Sequence, residues 1–121
     1  MAEQLVTFDV RPDATIATLN FSEITHEVSE ALQREVTGAI AEKQGVSLIL
    51  DLTRVTFLGS VGLTTLVILL KRLKEAGGRL IIAGLSGQRL RVMELTRMTR
   101  IFDLQPDLSH AMAALKAPES R

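Results

Sequence analysis

The chain has no cysteine. That absence removes a disulfide scaffold, thiolate-ligated zinc and thiol catalysis together. It has no charge excess either, with 14 Lys+Arg against 14 Asp+Glu and a formal net charge of zero. A nucleic-acid binder ordinarily carries a basic face, so direct contact with nucleic acid is not expected. Arg89, Arg91, Arg97 and Arg100 make a local basic run, which reads as a solvated helix face. Long hydrophobic runs are also missing. The longest apolar-rich stretch, Val61 to Leu70, carries two threonines and ends in Lys71-Arg72. Crossing a bilayer takes roughly 20 apolar residues, so no membrane insertion is expected. The opening Met1-Ala2-Glu3-Gln4-Leu5 is neither basic nor apolar enough for a signal peptide, which fits a cytoplasmic location. Gly-rich phosphate loops are absent, and His26 and His110 are the only histidines. No cofactor and no metal site are expected.

What remains is a chain of 121 residues, 46% apolar, long enough for one packed core. A single domain over 1–121 is expected, with a folded core at 4–115 and a flexible tail at 116–121. Gln4 to Val10 and Ala14 to Leu19 read as strands around an Arg11-Pro12-Asp13 turn, an antiparallel hairpin. Asn20 to Ile24 reads as loop. Thr25 can cap a helix to about Lys43, with Val28, Leu32, Val36, Ala39 and Ile40 on one stripe, and Gly45 ends it.

Val46 to Leu52 is nearly continuous in apolar residues, the mark of a strand buried on both faces. A helix from about Val61 to Ala76 follows, stopped by Gly77-Gly78. Leu80 to Ala83 repeats the buried-strand pattern. Ser86 opens a third helix to about Arg97, anchored by Leu90, Met93 and Leu95. Ile101-Phe102 reads as a short last strand, and Asp107 opens a final helix to Leu115. Strands alternating with such helices imply βαβ crossovers. The fold class is therefore α/β: a mixed β-sheet, an N-terminal hairpin plus parallel βα units, faced by about four helices.

The informative segment runs from Asp51 to Leu63, DLTRVTFLGSVGL. Ser60 stands at the mouth of the second helix, where its oxygen can accept from free first-turn amides. The same amides and the helix dipole would seat a phosphate, so phosphorylation of Ser60 would be tolerated by the fold. Beyond it, a winding of 3.6 residues per turn puts Leu63, Leu66, Leu70 and Leu73 on the expected core side. Val61, Thr65, Ile68 and Arg72 fall roughly opposite, where such a stripe suggests a docking surface.

This segment, with Gly77-Gly78 and the run Leu80 to Ser86, resembles the STAS domain family, and most closely the bacterial anti-sigma factor antagonists. The likeness extends from about Leu5 to Leu115 and is strongest from Val46 to Ser86. The resemblance implies the family's mixed sheet faced by helices. It also implies a partner, an anti-sigma factor that is itself a GHKL-type serine kinase, whose capture frees a sigma factor. In the family that kinase phosphorylates the serine of an Asp-Ser-x-Gly-Leu motif, the complex then falls apart, and a serine phosphatase restores the active form. Ser60 matches the phosphorylated serine, and Gly62 and Leu63 the following Gly-Leu. The partner-binding residues implied are Gly59, Ser60, Val61, Gly62, Thr64, Thr65, Ile68 and Arg72, joined by Ser22 and Glu23. A monomer or weak dimer is expected.

Three positions depart from the family pattern. Gly59 stands where the family usually has Asp. The loop Asn20-Phe21-Ser22-Glu23-Ile24 replaces a Gly-Glu-Leu-Asp-like loop. Arg97 takes a place where members often carry glycine. The change at Gly59 leaves open a second role, a non-phosphorylated STAS subunit of a signalling scaffold or of a lipid-transport ABC system. A hydrolase is disfavoured: the nucleophile-elbow motif needs glycine two residues before its serine, where Leu58 stands. Neither histidine is near Ser60 in sequence, and Asp51 and Asp103 have no convergent partner. The chain is therefore not expected to be an enzyme.

Overall fold

Alternating β-branched residues form the opening hairpin, β1 Val6–Val10 paired antiparallel with β2 Thr15–Leu19. Its turn closes where the Arg11 amide donates to the Ala14 carbonyl at 2.8 Å. The computed structural model describes residues 4–116 apart from Gln44. Of the expected tail at 116–121, residues 117–121 lie outside the described residues, and Lys116 caps the last helix. Thr25 caps α1 His26–Ala41, its Oγ1 accepting from the Val28 amide at 3.3 Å. Then come β3 Ser47–Asp51, α2 Ser60–Glu75, β4 Arg79–Ala83, α3 Gly87–Leu95, β5 Asp103–Gln105 and α4 Leu108–Leu115.

The sheet order is β1-β2-β3-β4-β5, antiparallel only between β1 and β2. Register places Ile16, Ile49 and Ile81 in one row across the central strands. The next row, Ala17, Leu50, Ile82 and Leu104, points the other way. Helices α1, α2 and α3 cover the second row and build the larger core with it. The short α4 alone covers the isoleucine row, with Ala111 fully buried there. Because β2 to β5 run the same way, the 20–25, 52–59 and 84–86 loops leave the sheet at one end. The Arg11–Asp13 turn and the approach to Ser47 lie at the other.

Gly77 and Gly78 turn the chain from α2 into β4. Gly77 has φ +73°, and a Cβ on Gly78 would run into the Val46 carbonyl oxygen.

Several boundaries differ from the expectation. The last strand is Asp103–Gln105 rather than Ile101-Phe102, because β5 is defined by backbone pairing of Ile81 with Asp103 and Ala83 with Gln105. Ile101 and Phe102 end a 3-10 turn, Met98–Arg100, and only Phe102 is buried. The third helix stops at Leu95 rather than Arg97, and Leu95, expected as an anchor, is 70% exposed. Arg97 causes that stop. It sits at φ +62°, ψ +20°, a left-handed conformation that ends a helix and suits glycine better.

Candidate functional site

The β3–α2 loop is fixed from three sides before it reaches Ser60. Asp51 Oδ1 accepts from the Thr53 amide at 3.0 Å and from its hydroxyl at 2.5 Å, turning the chain as the strand ends. Gly84, at φ +91°, lets the β4–α3 loop press against that turn, since a Cβ there would collide with Thr53. From α3, Arg89 reaches across to the loop. Its Nη1 donates to the carbonyls of Leu52 at 3.1 Å and Val55 at 2.8 Å. From the 20–25 loop, the Ser22 carbonyl accepts the amides of Thr56 at 2.9 Å and Phe57 at 3.1 Å. Glu23 and Phe57 form an isolated parallel bridge. Ser22 and Glu23, both exposed, therefore lie beside the motif some thirty positions away.

Ser60 is exposed and is the first residue of α2, with Gly59 in the capping position. Its hydroxyl has no hydrogen-bond partner among the described residues, so the expectation that it caps the helix is not met. The cause is one residue of register: a side chain at the first helical position cannot reach back to the amides that a capping residue serves. The first amide to find an acceptor within α2 is that of Leu63, on the Gly59 carbonyl at 3.0 Å. The earlier first-turn amides and the positive end of the helix are left beside the free hydroxyl.

The faces of α2 are rotated from the expectation. Its buried residues are Gly62, Thr65, Leu66, Leu69, Leu70 and Leu73, while Leu63 is only half-buried. Thr65, assigned to the solvent side, is 1% exposed, and its Oγ1 lies 2.6 Å from Ser29 Oγ of α1. Arg72 donates from Nη1 to Thr37 Oγ1 of α1 at 2.9 Å. The Val61–Thr65–Ile68–Arg72 stripe is thus the flank turned toward α1, with Val61, Ile68 and Arg72 half-buried. An α2 wedged between the sheet and α1 buries a wider arc than one stripe, and that arc takes in Thr65 and Gly62. The row left to solvent is Ser60, Thr64, Val67 and Lys71, of which Val67 alone is half-buried.

Two residues missed in the sequence belong to this region. Phe57 is 57% exposed, next to the motif's serine. Arg89, counted with a solvated basic run, is half-buried in the bonds just described. Among the described residues no group of three or more His, Cys, Asp or Glu could hold a metal ion. Nor is any helix among those residues long and apolar enough to cross a membrane. A cavity of about 170 Å³ lined by Arg11, Asp13, Lys43 and Ser47 lies at the opposite end of the sheet.

Residues 6–111 match the STAS domain model. The chain belongs to the STAS domain family. The anti-sigma-B factor antagonist of Listeria monocytogenes is 33% identical over 63 residues, 52% of this chain and 55% of that protein. The likeness thus spans about half the length of that curated relative. An anti-sigma factor antagonist from Mycobacterium paratuberculosis superposes with a TM-score of 0.79 at 25% identity, covering 93% of each chain. The anti-sigma factor antagonist SpoIIAA in its unphosphorylated form gives 0.73 at 16% identity, over 94% of this chain and 99% of that one. Its phosphorylated form, from Bacillus, gives 0.68 at 18%, over 91% and 98%. At such identities the SpoIIAA likeness is one of fold. This STAS chain therefore carries the family's five-stranded mixed sheet with the serine motif at the end where the loops gather.

Proposed function

We propose that this STAS chain is an anti-sigma factor antagonist, not an enzyme. It binds an anti-sigma factor that is also a GHKL-type serine kinase, and so releases a sigma factor. Phosphorylation of Ser60 ends the complex, and a serine phosphatase resets it. The observation that carries the reading is the exposed, unbonded hydroxyl of Ser60 on the first turn of α2, in a loop held by Arg89 and Ser22. A kinase can reach such a hydroxyl without unfolding anything. The product would carry a charge of about −2 beside first-turn amides that accommodate an anion. The cost falls on the complex, where a dianion would have to be desolvated.

The contact face on this reading is Ser60, Thr64, Val67 and Lys71, flanked by Gly59, Ser22, Glu23 and the half-buried Val61 and Ile68. Thr65 and Gly62 act from beneath it. Gly59, which brings no carboxylate ahead of the serine, favours a second reading, a non-phosphorylated STAS subunit of a scaffold or a lipid-transport ABC system. Intact mass after incubation with the source genome's GHKL kinases and ATP separates the two. A single phosphate gain that Ser60→Ala abolishes supports the switch. No gain with any kinase removes it.

A further inference from the structure

The proposed switch makes no use of Phe57, the large exposed apolar residue nearest to Ser60 in the chain. The residue is 57% exposed, yet its backbone is pinned by the Ser22 carbonyl and by the bridge to Glu23. The ring lies over Gly59. A Cβ at that position would stand 2.8 Å from Phe57 Cε2 and 3.3 Å from Cζ. Any side chain at 59 must therefore push the ring off its seat, and Gly59 is what leaves the seat open. Around it, the sequence from Val55 to Leu70 contains no ionisable residue.

We infer that Phe57, seated over Gly59, is the aromatic anchor of the partner-binding face and selects a partner with an apolar pocket opposite the loop. The inference rests on the proposed function and names the chemistry its partner must present. A large ring on a loop already ordered by Ser22 and Arg89 gives contact area without a cost for ordering the backbone. A phosphate on Ser60 would stand three residues from the same ring and spoil a dry contact.

The test uses the full chain and each GHKL anti-sigma kinase domain of the source genome, purified and titrated calorimetrically one at a time. Phe57→Ala is expected to weaken the binding seen with wild type by about tenfold, with an unchanged melting temperature because the ring is exposed. Gly59→Ala, which keeps the ring but displaces it, is expected to weaken binding too. It should add nothing in the double variant with Phe57→Ala. A loss below about threefold for Phe57→Ala, while Ser60→Asp still weakens the complex, overturns the anchor and leaves the proposed function standing. Wild-type binding by Gly59→Ala beside a weak Phe57→Ala overturns the seating role of Gly59. Failure of every kinase domain to bind wild type overturns the proposed function and the anchor with it.

Discussion

Ser29 and Thr65 meet across the α1–α2 interface with hydroxyl oxygens 2.6 Å apart and both residues out of solvent. Thr65 also donates to the Val61 carbonyl at 2.6 Å, and Ser29 accepts from Gln33 Nε2 at 3.1 Å. Each hydroxyl has one proton, so only one direction satisfies all three bonds: Gln33 to Ser29, Ser29 to Thr65, Thr65 to Val61. The chain of bonds ends one residue from Ser60. Thr65→Val should cost about 1–3 kcal/mol, because it leaves the buried Ser29 hydroxyl without its acceptor. Adding Ser29→Ala should recover part of that loss. Chemical denaturation of the three variants checks the cycle.

Arg89 should matter for the loop more than for the helix that carries it. Arg89→Ala strips the Val55 carbonyl of its donor and leaves the Leu52 carbonyl with the Val55 amide alone, and is expected to cost about 1–3 kcal/mol. Amide exchange should accelerate from Leu52 to Gly59 first. Arg89→Lys, with one charged nitrogen instead of a fork, should restore only part of the protection. Exchange read residue by residue distinguishes this from a general loosening.

Ser60→Asp should move stability and binding in opposite directions. An acid on the first turn of α2 interacts favourably with the helix dipole, worth about 0.3–1 kcal/mol, so the melting temperature should hold or rise slightly. Affinity for the partner should fall, while Ser60→Ala should keep it. Equal affinity of the two variants would remove the switch.

Thr64 and Ile68 separate surface from support on α2. Thr64→Glu, on the outward row, should change stability by less than about 0.5 kcal/mol and weaken the partner complex. Ile68→Glu puts a charge on the flank toward α1 and should cost about 1 kcal/mol or more. A fully stable Ile68→Glu chain would return that residue to the free surface.

Acid should loosen the first turn of α4 once Asp107 is protonated. Asp107 Oδ1 accepts from the backbone amide of His110 at 2.8 Å and also contacts its ring, and these bonds hold the Asp107 pKa below the ordinary carboxylate value. With the folded value depressed, the stabilisation is complete above the unfolded pKa, near about 4. It is lost as pH falls through the folded value. Asp107→Asn should remove this step from the acid titration of α4, followed by its NMR shifts.

The sheet was legible because β3 and β4 are buried on both faces, and continuous apolar runs such as Leu48-Ile49-Leu50 and Leu80-Ile81-Ile82 mark that state. Short β5 was not, since backbone pairing defines it and its residues are all half-buried. The serine motif was legible from its residues, and Ser22 and Glu23 from the resemblance. The orientation of α2 was not. Periodicity tells which residues share a face, but not that a neighbouring helix claims a second face and buries Thr65. Arg89 was hidden for another reason: its acceptors are main-chain carbonyls, which leave no mark in a sequence. Phe57 read as one more apolar residue, because the seat of its ring depends on a side chain missing at Gly59.

The common direction of β2 to β5 puts the proposed contact at one end of the sheet and the hairpin turn at the other. A fluorophore or surface tether attached in the Arg11–Asp13 turn would sit a strand's length from Ser60 and from the loops around it. Sensors that report capture of a partner can be wired there without touching the contact they are meant to measure.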